Sequence, residues 1–223
     1  MILAAGRGDR MRPLTDRLPK PLLEAGGKAL IVWQIERLCA AGITDIVINH
    51  SHLGHMIETA LGDGRQYGVD IAYSREAEAL ETAGGVAYAL HLLGAQPFAV
   101  LSADIYTDYD YGRLVHGGES LLLHDRLGHL VLVDNPSFHP RGDFALEADR
   151  VVRDGARRYT YANIGVFRPE FFAGVHAGSK AAMLPPLLTA IDASRLGGEH
   201  YQGVWDNLGT PEQLASLNRE LRR

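Results

Sequence analysis

The 223 residues, 46% of them hydrophobic and 22% charged, have the balance of an ordinary globular protein, and the length is that of one domain, 1–223. A formal net charge of -5 argues against nucleic acid as the main partner, and no apolar run reaches the length of a membrane span. Cys39 is the single cysteine, so no internal disulfide can form; a packing role on a helix face and a cytoplasmic location are expected.

The chain opens on a short apolar run, Ile2 to Ala5, with the composition of a buried strand. It then breaks into a loop rich in glycine, arginine and proline that lasts to Leu22. Gly6 and Gly8 let a ligand approach the main chain, whose N–H groups can cradle phosphate oxygens. Arg7, Arg10, Arg12, Arg17 and Lys20 concentrate positive charge there, which suits a nucleoside triphosphate. Lys20 stands between Pro19 and Pro21, so its ammonium is presented from a stiff segment. A dinucleotide-binding turn is set aside, because Met11 occupies the place of the third glycine.

Periodicity predicts a helix over Lys28 to Ala41, a strand over Ile43 to Ile48 ending at Asn49 and His50, a helix from His52 to Leu61, and a strand from Val69 to Tyr73. Thr82 reads as the N-cap of a helix running to Leu93, with Gly84 and Gly85 in its first turn. The strand Pro97 to Leu101 delivers Ser102-Ala103-Asp104 at its carboxyl end, where ligands sit in doubly wound sheets. This alternation predicts an α/β fold with a doubly wound, mostly parallel mixed sheet. Beyond Ser120, Leu121 to Leu123, His129 to Asp134, Phe144 to Glu147 and Tyr159 to Phe167 read as short strands, giving small antiparallel additions and a lid. Thr210-Pro211-Glu212-Gln213 is a capping-box start for a last helix packed by Leu214, Leu217 and Leu221.

The string Leu3 to Thr15, LAAGRGDRMRPLT, followed by Pro19-Lys20-Pro21-Leu22, closely resembles the signature of the sugar-1-phosphate nucleotidyltransferases, or nucleotide-sugar pyrophosphorylases. The resemblance implies a Rossmann-like nucleotidyltransferase fold, Mg²⁺ as cofactor, and a nucleoside triphosphate and a sugar 1-phosphate as substrates. By it, Arg10 and Lys20 are the catalytic cations, and Leu3, Ala4, Ala5, Gly6, Gly8 and Asp9 join them around the nucleotide. Glu81, Gly84 and Gly85 would face the base. Asp104, and Asp206 in a closing motif of the W-x-D-x-G-T type, would hold the metal. Asn163, in an N-x-G-hydrophobe segment, would contact the sugar together with Ser102, Gly142 and Glu147.

The middle of the chain, from Val47-Ile48-Asn49-His50 to Gly142-Asp143-Phe144, is most similar to the branch of that family that uses UTP and N-acetylmuramic acid 1-phosphate in peptidoglycan recycling. A mannose or glucose 1-phosphate enzyme using GTP or dTTP, and a regulatory subunit that binds nucleotide sugars without catalysis, are the alternatives. His50 is expected to be a structural hydrogen-bonding residue at a strand end.

Overall fold

The computed structural model describes residues 1–222. Strand β1 (Ile2–Leu3) leads into a loop of three 3-10 turns, Asp9–Met11, Leu14–Asp16 and Lys20–Leu22. A small hairpin of β2 (Glu24–Ala25) and β3 (Lys28–Ala29) follows, then α1 (Leu30–Ala40), β4 (Asp45–His50), α2 (Gly54–Leu61), β5 (Asp70–Arg75), α3 (Glu81–Leu93), β6 (Phe98–Ser102), β7 (Ile105–Thr107) and α4 (Gly112–Leu123). The second half comprises β8 (Gly128–Val133), β9 (Phe144–Glu147), β10 (Arg150–Val152), β11 (Arg158–Phe167), α5 (Leu184–Asp192), β12 (Leu196–Tyr201), β13 (Trp205–Asn207) and α6 (Pro211–Glu220).

Nine strands form one mixed sheet in the order β5-β4-β1-β6-β11-β8-β12-β10-β9. The first four are parallel, and Ile2 is fully buried between Ile48 and Leu101. β11 enters antiparallel beside β6. Because β9 pairs with both β10 and β11, the last five strands close into a ring. Helices α1, α2 and α4 cover one face through Ile31, Ile35, Ile57, Leu61, Leu114 and Leu121. Val86 and Ala87 of α3, with Leu187 and Ile191 of α5, cover the other. The doubly wound α/β architecture follows from apolar strands that need a helix layer on both faces. The antiparallel strands are continuous with that sheet, and among the described residues only the β2–β3 and β7–β13 pairs stand apart from it.

Local boundaries differ from the sequence expectations for physical reasons. Leu121 to Leu123 is the last turn of α4; Leu121 is buried while Leu123 is 80% exposed, a helical rather than a strand pattern. Gly117 and Gly118 lower the intrinsic helix propensity of α4, yet their missing side chains let it lie close to Val166 of β11. Lys28 and Ala29 belong to β3, and α2 begins at Gly54 rather than His52. α3 starts at Glu81 with Leu80 at its N-cap, so Thr82 caps nothing. α5 carries Pro185 and Pro186 in its first turn, where a missing N–H costs nothing. Among the described residues no helix is long and apolar enough to cross a membrane.

Candidate active site

At the carboxyl ends of β1, β4 and β6 the parallel half of the sheet opens a cleft of about 210 Å³. Leu3, Ala4, Ala5, Gly6, Lys20, Glu81, Ser102 and Asp104 line it, so most of the expected nucleotide-side residues converge here. The loop after β1 reaches this position by folding back on itself. Gly8 has φ 71°, and a Cβ there would sit 3.0 Å from Thr15 Cγ2 and 3.2 Å from Lys20 Cβ. The Thr15 hydroxyl donates to the Gly8 carbonyl at 2.8 Å and fixes the fold-back.

Lys20 is only 8% exposed, and its Nζ donates to Asp104 Oδ2 at 2.5 Å across 84 residues of chain. A buried ammonium needs such a partner, and the pair places one cation and one carboxylate side by side at the cleft floor. Arg10 comes from another direction: a Cβ on Gly209 would lie 3.0 Å from Cζ and both terminal nitrogens of its guanidinium. Glycine at 209 therefore lets Arg10 rest on the turn that follows β13.

Not every expected residue reaches the cleft. Asp9 is exposed and pairs with Arg12 at 3.4 Å. Gly84 and Gly85 are buried inside α3 and do not line the cleft. A Cβ on Gly84 would fall 2.3 Å from the Ser179 carbonyl, and one on Gly85 would fall 2.8 Å from Asn49 Nδ2 and Glu76 Oε1. What the structure shows for both is close packing, of α3 against the 179–181 segment at Gly84 and against Asn49 and Glu76 at Gly85. Glu81 does line the cleft, and it holds a left-handed φ of 61°, a strained setting of the kind that collects at binding sites. His50 is structural as expected: Nε2 is bonded to Glu58 Oε1 at 2.7 Å, and its ring packs where a Cβ on Gly54 would stand.

A second cleft, about 340 Å³, lies on the far side of β6, lined by Asn163, Trp205, Asn207, Asp143 and Tyr161 among others. Asn163 sits in the irregularity of β11 between Tyr161 and Gly165, with φ 56°. Ile164 pairs with Leu101, so Asn163, which lines the second cleft, stands beside the Ser102 end of β6, which lines the first. Gly142 is a buried turn residue, φ 61°, where a Cβ would meet Asn135 Oδ1 at 2.6 Å; its neighbour Asp143 lines the cleft instead. Glu147 is not brought to the site. It pairs with Arg150, which registers with Gly197 near the start of β12, at the opposite end of the sheet from Asp104.

The closing motif also reads differently in three dimensions. Along β13, Trp205 and Asn207 share one face and line the second cleft, whereas Asp206 is on the other, exposed. Partial desolvation of its carboxyl first, then the negative charge of Glu220, raises Asp206 above its ordinary value. Asn207 pairs with Ile105, and Leu208 N–H donates to the Asp104 carbonyl at 2.9 Å, so Asn207 stands next to Asp104. Its Oδ1 is buried without a hydrogen-bond partner among the described residues. Counted from Trp205, Asn207 rather than Asp206 also holds the acidic position of W-x-D-x-G-T, a signal present in the sequence. No cluster of three or more His, Cys, Asp or Glu side chains is found among the described residues. The Asp104 carboxylate and the orphaned Asn207 carbonyl are hard oxygen donors, a set that fits Mg²⁺ when phosphate and water fill its remaining positions.

Residues 1–121 match the nucleotidyl transferase family, and the chain belongs to it. It is 51% identical over 214 residues to the N-acetylmuramate alpha-1-phosphate uridylyltransferase of Neisseria meningitidis, covering 94% of this chain and 92% of that relative. It is 40% identical to the mannose-1-phosphate guanyltransferase of Aspergillus oryzae, of which it spans 62%. In fold it superposes on a Bacillus anthracis structure assigned as a glucose-1-phosphate thymidylyltransferase, with a TM-score of 0.86 at 20% identity over 99% of this chain and 94% of that one.

Proposed function

We propose that the protein transfers a uridylyl group from UTP to a sugar 1-phosphate, N-acetylmuramic acid 1-phosphate being the favoured acceptor, in the cytoplasmic recycling of peptidoglycan. The observation that carries the reading is the Lys20–Asp104 pair in the first cleft, whose Ser102 wall stands beside Asn163 of the second. The identity to the Neisseria meningitidis uridylyltransferase over nearly the whole chain supports the choice of substrates.

A sugar phosphate oxygen attacks the α-phosphorus in line, forming the new P–O bond as the bond to pyrophosphate breaks. No covalent enzyme intermediate is required. The protein's part is positioning and charge compensation. Lys20 neutralises the phosphates that meet over the cleft floor. Arg10, resting on Gly209, stabilises the leaving pyrophosphate. Asn163 orients the sugar. Asp104 and Asn207 would hold Mg²⁺, which supplies charge neutralisation at the phosphates.

The mannose-1-phosphate relatives support a second reading, GTP with mannose 1-phosphate. Turnover with each of the four nucleoside triphosphates, followed by identification of the nucleotide sugar, separates the two. UDP-linked product supports the uridylyltransferase, and GDP-mannose as the main product overturns it.

A further inference from the structure

The two walls of the nucleotide cleft are tied together by buried side chains to which no role has been assigned above. Asn49, at the end of β4, is 2% exposed, and Glu76, just past β5, is 6% exposed. Asn49 Oδ1 accepts the Ala4 backbone N–H at 2.9 Å, in the segment that leads into the glycine-arginine loop. Its Nδ2 donates to Glu76 Oε1 at 2.7 Å. Glu76 Oε2 in turn accepts the Leu80 N–H at 2.9 Å, at the N-cap of α3 and one residue before the strained Glu81.

We propose that Asn49 and Glu76 are positioning residues for the nucleotide, a relay that fixes the phosphate-side loop and the base-side turn at one separation. The inference rests on the reading of this cleft as the nucleotide site.

Donor counting explains why these residue types are needed. Ala4 N–H can only donate, so it must meet the carbonyl oxygen of Asn49, which turns the amide nitrogen toward Glu76. Glu76 then faces two donors, Asn49 Nδ2 and Leu80 N–H, and only a carboxylate has an acceptor for each. A glutamine at position 76 would set its own N–H₂ against one of them. An aspartate at position 49 would set its second oxygen against Glu76. Made together, the two changes restore every bond. The new carboxylate at position 49 accepts from Ala4 N–H and from the new amide at position 76, whose carbonyl oxygen accepts from Leu80 N–H. Net charge is unchanged, and the glycine at position 85 leaves the space that either arrangement occupies.

The test is calorimetric binding of UTP, with KM for UTP and for the sugar 1-phosphate, in wild type, Glu76→Gln, Asn49→Asp and the double variant. Each single change is expected to weaken UTP binding about tenfold and to leave the sugar phosphate KM within about threefold, because the second cleft is not tied to the relay. The double variant is expected to recover UTP affinity to within about threefold of wild type. A double variant no better than the worse single, or singles that weaken both substrates alike, overturns the relay. Should a single variant not fold, Gly85→Ala, whose Cβ presses on the same two atoms, replaces it and is expected to show the same selective loss. A wild type that binds UTP without turnover contradicts the proposed transfer alone. One that does not bind UTP overturns the relay as well.

Discussion

At the residue scale, the account turns on a few polar atoms. Asp104 and Lys20 were legible because each sits in a stretch whose composition is unusual: a lysine between two prolines, and an aspartate at the end of an apolar run. Asn207 is marked only by its spacing from Trp205, and a neighbouring aspartate is the more conspicuous oxygen donor. Strand alternation along β13 turns Asp206 outward and Asn207 in. Asp104→Asn is expected to lower kcat by about a hundredfold or more while leaving the folded fraction unchanged, as judged by steady-state kinetics beside circular dichroism. The pair at 206 and 207 gives a sharper contrast. Asn207→Ala raises the Mg²⁺ concentration needed for half-maximal activity about tenfold, and Asp206→Asn leaves it within about twofold. Equal effects in a Mg²⁺ titration would return the metal site to Asp206.

At the element scale, the last helix shows how local chemistry supports the site from a distance. Gln213 N–H donates to Thr210 Oγ1 at 3.3 Å, while Gln213 Oε1 accepts both Gly209 N–H at 2.7 Å and Thr210 N–H at 3.0 Å. The capping box therefore pins the glycine on which Arg10 rests. Thr210→Ala is expected to cost about 1 kcal/mol in urea denaturation, and to lower activity through Arg10 as well. This helix was readable residue by residue, since cap, proline and leucine spacing all agree. α4 was not, because two glycines and a leucine triplet obscure its period, and its register depends on how closely it approaches β11. The irregularity at Asn163 was equally hidden. Left-handed backbone in mid-strand depends on pairing with β8 on one side and β6 on the other, which no local pattern encodes.

At the scale of the whole molecule, the parallel half of the sheet was legible from the alternation of apolar runs and helices. The ring of five strands was not, since β12 must return from late in the chain to lie between β8 and β10, which no local pattern encodes. One charge cluster lends the parallel edge a pH dependence. Two hydrogen bonds from Arg75, both 2.7 Å, and then the one to His50 outweigh desolvation and hold the Glu58 carboxyl at about 2, below its ordinary 4.5. A depressed folded-state value means that this contribution is present above about pH 4.5 and is lost as the pH falls toward 2. Thermal denaturation between pH 5 and pH 2.5 is therefore expected to fall less steeply for Glu58→Gln than for wild type, and parallel curves would remove the cluster from the account.

The central claim is that the two neighbouring clefts carry out sugar-1-phosphate uridylyl transfer. Its most direct test is pyrophosphate release by the purified protein with UTP, Mg²⁺ and N-acetylmuramic acid 1-phosphate, beside the 1-phosphates of glucose, N-acetylglucosamine and mannose. The account predicts one pyrophosphate per UDP-sugar formed, the highest kcat/KM with the muramic substrate, and loss of that signal in Asp104→Asn. Pyrophosphate release no faster than without enzyme, whichever sugar phosphate is supplied, would contradict it.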